Sequence, residues 1–145
     1  MLGKRGTSTD VLLIEPDSEL ASLLVASLDS HDAVVRTATN HEEALESLRA
    51  PRYPQLIILD LDLPADRGLD LLRAIKGSTD RRHIPTIVFA ADPAAIEHAW
   101  DAGANCVIRK HDHPEEFHAL FPRLSRFWLA AATLPRKLQA RAAPN

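Results

Sequence analysis

Residues 56–60 have the sequence Leu-Ile-Ile-Leu-Asp, and residues 61–64 continue with Leu-Asp-Leu-Pro. Four consecutive apolar residues without polar alternation predict a strand that is buried on both faces, as in a parallel sheet covered by helices. The apolar run ends at Asp60, so a carboxylate directly follows a buried strand. We therefore expect an α/β fold whose sheet carries a charged group at one edge.

Outward from this stretch, the chain alternates short apolar runs with helical patterns. The other predicted strands cover residues 11–14, 34–35, 84–89 and 106–108. Helix boundaries are indicated by Asn40-x-x-Glu43, which resembles a capping box, by Asp92-Pro93 at a helix start and by Gly103 at a helix end. Five strands, each followed by a helix through a short link, predict a flavodoxin-like α/β fold with a doubly wound five-stranded parallel sheet, (βα)5.

Two of the predicted helices have clear apolar faces. In the first helix, four leucines are expected to share one face: Leu20, Leu23, Leu24 and Leu28. The last helix should begin at Pro114 and continue through Trp128 towards Leu134. Pro122 lies inside this helix and is expected to kink it, because proline lacks the backbone N–H that a helix interior uses.

The composition excludes several classes of protein. A length of 145 residues is enough for one domain with a single core. Seventeen basic and twenty acidic side chains leave a net charge of −3, so no strong overall field recruits nucleic acid or an anionic membrane. The single cysteine, Cys106, is typical of a reducing cytoplasm, and no apolar run approaches the roughly 18 residues of a membrane span. We expect a cytoplasmic protein with one domain over residues 10–135 and flexible tails at residues 1–9 and 136–145.

Charged residues follow three of the predicted strands. Glu15 follows the first strand, Asp60 the third and Lys110 the fifth, and in a parallel sheet these ends meet at one edge. Two neighbouring carboxylates repel each other unless a cation or proton lies between them, and Mg²⁺ needs only one or two carboxylates. An aspartate between Mg²⁺ and a lysine is prepared to attack phosphorus. The pattern therefore predicts an aspartyl phosphate site.

Three motifs in order resemble a response-regulator receiver domain over roughly residues 10 to 130. They are residues 11–15 (Val-Leu-Leu-Ile-Glu), residues 56–68 with Asp60, Asp62, Pro64 and Gly68, and Ala-Gly-Ala at residues 102–104 followed by Lys110. The resemblance implies a two-component response regulator, a phosphoprotein of a phosphorelay rather than an enzyme with an external substrate.

The resemblance also assigns roles to the residues at the sheet edge. The residue that matches Asp60 accepts a phosphoryl group from a sensor histidine kinase, and the one that matches Lys110 contacts that group. The residue that matches Glu15 helps to hold Mg²⁺ together with Asp60, and the one that matches Asp62 supplies a backbone carbonyl.

Three positions depart from the receiver pattern. Pro16 stands where a second acidic residue is usual; Asp17 is a weak substitute ligand, and capping of the first helix is its favoured role. Ala90 stands where receivers carry Ser or Thr, and Val107 where they carry an aromatic residue. These substitutions predict an atypical receiver in which the activation relay is impaired or altered.

The C-terminal end is similar to stand-alone receivers found beside bacterial phytochrome kinases. The similarity rests on residues 127–129 (Phe-Trp-Leu) and 134–135 (Leu-Pro), and it implies a phytochrome-type kinase partner and a homodimer. Trp100, Phe127 and Trp128 are the predicted partner face, although one of Phe127 and Trp128 belongs to the core in the alternative interpretation. Too few residues follow residue 130 for an output domain, so we expect a single-domain regulator.

Two other functions remain open. The departures at Pro16, Ala90 and Val107 also suit a receiver-fold scaffold that binds its partner without phosphorylation. A more remote alternative is a haloacid-dehalogenase-like phosphatase, which the Asp60-Leu-Asp62 motif resembles.

Overall fold

The predicted strands form one parallel sheet. The computed structural model describes residues 8–49, 51 and 53–135. The strands are β1 (Thr9–Ile14), β2 (Ala33–Ala38), β3 (Leu56–Asp60), β4 (Thr86–Ala90) and β5 (Cys106–Arg109). Their order is β2-β1-β3-β4-β5, which confirms the doubly wound five-stranded fold. Apart from residues 8 and 9, the predicted tails at residues 1–9 and 136–145 lie outside the described residues.

Helices cover both faces of the sheet, as the unbroken apolar strands require. They are α1 (Ser18–Asp29), α2 (His41–Ser47), α3 (Gly68–Gly77), α4 (Pro93–Asp101), α5 (Pro114–His118) and α6 (Phe121–Ser125). Alternate residues of the strands face α2, α3 and α4 on one side and α1, α5 and α6 on the other. Within the described part of the chain, every helix is too short or too polar to span a lipid bilayer.

Side-chain caps place the helix starts at the predicted positions. The carboxylates of Asp17 and Asp92 and the amide oxygen of Asn40 each accept a hydrogen bond from a backbone N–H in the first turn of the next helix. These bonds satisfy donors that have no partner within the helix itself. They confirm capping as the favoured role of Asp17.

Two helical predictions were wrong in part. Leu24 and Leu28 are fully buried, but Leu23 is 41% exposed, because it lies about 100° around the helix from Leu24 and falls outside the buried face. The last helix is not continuous but is divided into α5, α6 and a π-helical turn at Arg126–Ala131. Pro122 lies in the first turn of α6, where its missing N–H does no harm, so the chain restarts its helix there instead of bending.

Candidate functional site

Backbone hydrogen bonds bring the three predicted charged residues to one edge of the sheet. Asp60 is the last residue of β3, and Glu15 and Lys110 each follow directly on a strand. The N–H of Glu15 donates to Ala38 at 2.9 Å, and the N–H of Lys110 donates to Ala90 at 2.9 Å. Because these ladder bonds extend each strand by one residue, the side chains emerge at fixed positions.

Asp60 and Lys110 form a close ion pair, as the sequence predicted. Lys110 Nζ lies 2.7 Å from Asp60 Oδ1 and 2.6 Å from Asp60 Oδ2. Asp60 is only 1% exposed, so its charge is held by the lysine and by a hydrogen bond from the Asp62 N–H to Oδ1 at 2.9 Å. Charge-assisted bonds of this kind are stronger than neutral ones, and a buried carboxylate requires them.

The Asp62 side chain is a participant that the sequence analysis missed. Only its backbone carbonyl was assigned a role, yet its carboxylate Oδ2 accepts from Lys110 Nζ at 3.1 Å. Burial alone would lower the pKa of Lys110, but hydrogen bonds and charge attraction from Asp60, and then from Asp62, outweigh it and raise that pKa. Asp60 and Asp62 are two residues apart, and in an extended chain this spacing places both side chains on the same side. This spacing is the signal that could have indicated the role of the Asp62 side chain.

Glu15 is the least satisfied group at this edge. It is 2% exposed, its Oε2 accepts from the Asp17 N–H at 3.3 Å, and its Oε1 has no hydrogen-bond partner. Burial, followed by repulsion from Asp60, raises the pKa of Glu15 from its ordinary value of 4.5 to about 9. A buried orphan oxygen beside a second carboxylate suits a cation.

The donor set fits a hard divalent ion that keeps much of its water. Among the residues described, no three or more His, Cys, Asp and Glu side chains come together as a metal site. Glu15 and Asp60 supply two carboxylates at this edge, and the carboxylate of Asp62, whose backbone carbonyl is the predicted third donor, is engaged by Lys110. Mg²⁺ commonly binds through one or two carboxylates and completes its shell with water, so these donors are sufficient.

The two departures from the receiver pattern on β4 and β5, Ala90 and Val107, offer only hydrocarbon side chains. Ala90, the last residue of β4, is fully buried, and Val107 on β5 packs against the same apolar cluster. The nearest hydroxyl on β4 is that of Thr86, which donates to the Ile84 carbonyl at 3.0 Å at the other end of the strand. A side-chain hydroxyl is therefore absent from the position at which receivers carry one.

The three predicted partner-face aromatics differ in exposure. Trp100 on α4 is 51% exposed and Phe127 in the π-helical turn is 55% exposed. Trp128 packs against the core on the α1 side, and its ring meets that of Phe127 edge to face at 5.3 Å. Of the two neighbouring aromatics, Trp128 covers the core and Phe127 is the surface residue.

The geometry defines the class of protein: a doubly wound α/β domain with two carboxylates and a lysine at one edge of its sheet. The family model for the response regulator receiver domain matches residues 11–121, and the chain belongs to this family. It is therefore a receiver-domain response regulator of two-component systems, and its relatives include phytochrome response regulators.

The similarity to individual relatives extends over nearly their whole length. The chain is 27% identical over 143 residues to response regulator Rcp1 of Synechocystis sp., covering 86% of this chain and 92% of that protein. The solved structure of the Mn²⁺-bound form of Rcp1 matches with a TM-score of 0.81 and 25% identity, over 88% of this chain and 99% of that one. The phosphorylated cyanobacterial phytochrome response regulator RcpA matches with a TM-score of 0.80 and 28% identity, over 88% and 99%.

Proposed function

We propose that this receiver domain accepts a phosphoryl group on Asp60 from a sensor histidine kinase of the phytochrome type. The observation that carries the proposal is the contact of both Asp60 oxygens with Lys110 Nζ, at 2.6 and 2.7 Å. The similarity to a phosphorylated phytochrome response regulator supports it. The proposal places the protein in the cytoplasm, in agreement with its one free cysteine, Cys106.

The geometry supports a different proposed role for each Asp60 oxygen. Oδ1 is held by the Asp62 N–H at 2.9 Å, which leaves Oδ2 to attack. A bond forms between Oδ2 and phosphorus while the bond from phosphorus to the donor imidazole nitrogen breaks, and that nitrogen keeps the electron pair. Lys110 releases Oδ2 and donates to an oxygen of the transferred group, whose charge it stabilises.

Glu15, Asp60 and the Asp62 carbonyl are the proposed Mg²⁺ ligands, and Asp17 is a weaker candidate because its Oδ1 caps α1. When bound, Mg²⁺ neutralises charge on the transferred group. The support is the orphan Oε1 of Glu15, whose second oxygen is engaged by the Asp17 N–H. The Mn²⁺-bound structure of Rcp1 is a relative with a divalent ion.

The activation relay is altered, because Ala90 and Val107 have no group that responds to a phosphoryl oxygen. A hydrogen bond to a charged group contributes about 1.5–3 kcal/mol. Moving a population from 1:99 to 99:1 requires about 5.5 kcal/mol, so the missing hydroxyl of Ala90 removes a large part of the switching energy. Ala90→Thr should therefore enlarge the NMR shift changes that phosphorylation causes around β4, whereas unchanged shifts would contradict an altered relay.

The exposed aromatics are the proposed contact surface for a partner or a second copy. Phe127 is 55% exposed on a turn whose neighbour Trp128 is fixed against the core, so it is presented rigidly. Light scattering after size-exclusion chromatography should give a lower mass for Phe127→Ala than for the unchanged protein. Trp100→Ala removes a similarly exposed aromatic residue on α4. A lower mass for this variant instead would indicate a dimer through α4 and not through the C-terminal turn.

Intact mass spectrometry tests the central proposal. Incubation with Mg²⁺ and acetyl phosphate should add the mass of one phosphoryl group, and Asp60→Asn should abolish the gain. Asp66→Asn is the matched control, because it removes an exposed carboxylate from the loop that follows β3. A gain that persists in Asp60→Asn would contradict the assignment of the phosphoacceptor.

Two other outcomes would redirect the assignment. No gain in the unchanged protein would favour a scaffold that works without phosphorylation, for which the missing hydroxyl at Ala90 is the supporting observation. We expect no turnover of an external substrate. Phosphomonoester hydrolysis that Asp62→Asn abolishes would restore the phosphatase alternative, which the receiver-family match and the location of Asp60 on the third strand disfavour.

A further inference from the structure

We infer that Arg67 is a positioning residue, which uses the ring of His41 to hold the loop that presents the Asp62 carbonyl to the cation. The inference rests on the proposed function only in taking that carbonyl as a ligand. Arg67 is the last residue before α3, and its side chain is 41% exposed. Neither Arg67 nor His41 belongs to the residues that touch the phosphoacceptor.

The loop is closed at its base by backbone contact. The N–H of Leu61 donates to the Phe89 carbonyl at 2.9 Å, which ties the start of the loop to β4. Gly68 packs so closely on Leu61 that a Cβ there would overlap the Leu61 carbonyl. Any displacement of the chain at residue 67 therefore reaches Leu61 through Gly68, and Asp62 is the next residue.

Inside the loop, two residues have an unfavourable left-handed backbone conformation. Ala65 has φ 58° and Asp66 has φ 54°, and neither is glycine. Left-handed backbone is unfavourable for residues with a Cβ and persists only where the surroundings enforce it. Leu63, which is 3% exposed, anchors the first half of the loop in the core. The second half has no buried apolar side chain before Gly68, so a different anchor is needed there.

The guanidinium of Arg67 lies over the face of the His41 ring. Its Nη2 is 3.3 Å from Nδ1 and 3.4 Å from Nε2 of that ring. An atom in the ring plane cannot approach both nitrogens equally without overlapping the carbon between them. The nearly equal distances therefore indicate that an N–H of the guanidinium points onto the face of the ring, as in an N–H···π contact.

His41 is a rigid partner for this contact. It is the first residue of α2 and only 8% exposed. The helix start is fixed by a reciprocal cap, in which Asn40 accepts from the Glu43 N–H at 2.8 Å and Glu43 accepts from the Thr39 N–H at 2.7 Å. The other contact of Arg67, with Asp70 at 3.6 Å, is exposed and contributes little.

Binding of Mn²⁺ alone, followed by electron paramagnetic resonance of the free ion, provides the test. Arg67→Ala should weaken Mn²⁺ binding about tenfold, as loss of an outer-shell partner does. The melting temperature should change little, because the substitution leaves the buried core of the sheet untouched. Arg73→Ala is the matched control: it removes the same charge from the exposed face of α3 and should bind Mn²⁺ like the unchanged protein.

Variants of the ring distinguish positioning from a general loss of stability. His41→Phe keeps a flat face for the guanidinium and should retain Mn²⁺ affinity, whereas His41→Ala should match Arg67→Ala, and the double variant should be no weaker than either. A second readout needs no metal: hydrogen exchange of the Asp62 amide should accelerate in Arg67→Ala and not in Arg73→Ala, while the Ile58 amide in the sheet centre is unchanged.

The inference is overturned if Arg67→Ala and Arg73→Ala have the same Mn²⁺ affinity and the same exchange at Asp62. Failure of the proposed function gives a different result. In that case the unchanged protein gains no phosphoryl mass, while the two arginine variants still differ in exchange at Asp62.

Discussion

Replacing Glu15 with glutamine should make the metal-free protein more stable, and the gain should grow as the pH rises. Glu15 is 2% exposed, lies beside Asp60 and leaves its Oε1 without a partner. Burial and that neighbour raise its pKa from 4.5 to about 9. Glutamine has nearly the same shape and carries no charge at any pH.

Proton linkage gives the sign and the size of this change in stability. Below pH 4.5 the group is protonated in both the folded and the unfolded chain, and Glu15 imposes no charge penalty. Between pH 4.5 and about 9 the folded chain keeps the proton and the unfolded chain releases it, so stability falls as the pH rises. The slope is about 1.4 kcal/mol per pH unit, so the step from pH 6 to pH 8 amounts to about 3 kcal/mol at most.

Urea unfolding at several pH values, with chelator present, measures this effect. Subtracting the curve of the unchanged protein from that of Glu15→Gln cancels the titrating groups that do not interact with Glu15, and the raised pKa of Lys110 lies above this window. Glu46→Gln removes an exposed carboxylate, and its free energy of unfolding should change with pH in the same way as that of the unchanged protein. If the difference in free energy of unfolding between Glu15→Gln and the unchanged protein is constant from pH 6 to pH 8, Glu15 does not have the raised pKa on which the prediction depends.

Three further substitutions test the packing and charge at the site. Lys110→Ala should destabilise the chain by about 3 kcal/mol in urea unfolding at pH 7, since the buried Asp60 loses its counter-charge, and adding Asp60→Asn should recover most of the loss. Gly68→Ala should cost about 3 kcal/mol or more and lower the melting temperature, because the new Cβ would overlap the Leu61 carbonyl. Gly77→Ala, where a Cβ meets nothing within 4 Å, should instead add about 0.4–1 kcal/mol, and equal effects at the two glycines would contradict the packing argument.

Much of the fold was predictable because its signals are local. The apolar run that ends at Asp60 requires burial on both faces, whatever the rest of the chain does. Asp17, Asn40 and Asp92 cap the helices that follow them, since a cap needs only the next three residues. Regular alternation of strands and helices then allows few topologies, and it placed Glu15, Asp60 and Lys110 at one edge.

The last helix shows where local reasoning was insufficient. Pro122 was expected to kink one helix, but it lies in the first turn of α6 instead, and the end of the chain is held by distant contacts. Gln55, the residue before β3, donates from Nε2 to the Pro135 carbonyl at 3.0 Å, and Trp128 packs on the core. Both contacts join residues that are far apart in the sequence, so no periodicity indicates them.

The sheet, the helix starts and the charged residues at the carboxyl edge of the sheet could all be predicted from the amino-acid sequence, because they depend on neighbouring residues and on strand order. Three features became visible only in the folded chain: the Asp62 carboxylate shares Lys110 at 3.1 Å, Glu15 keeps an orphan oxygen, and the Arg67 guanidinium contacts the His41 ring. Such contacts depend on distances of a few ångströms between side chains 26 to 48 residues apart. Packing fixes these distances, and sequence spacing does not encode them.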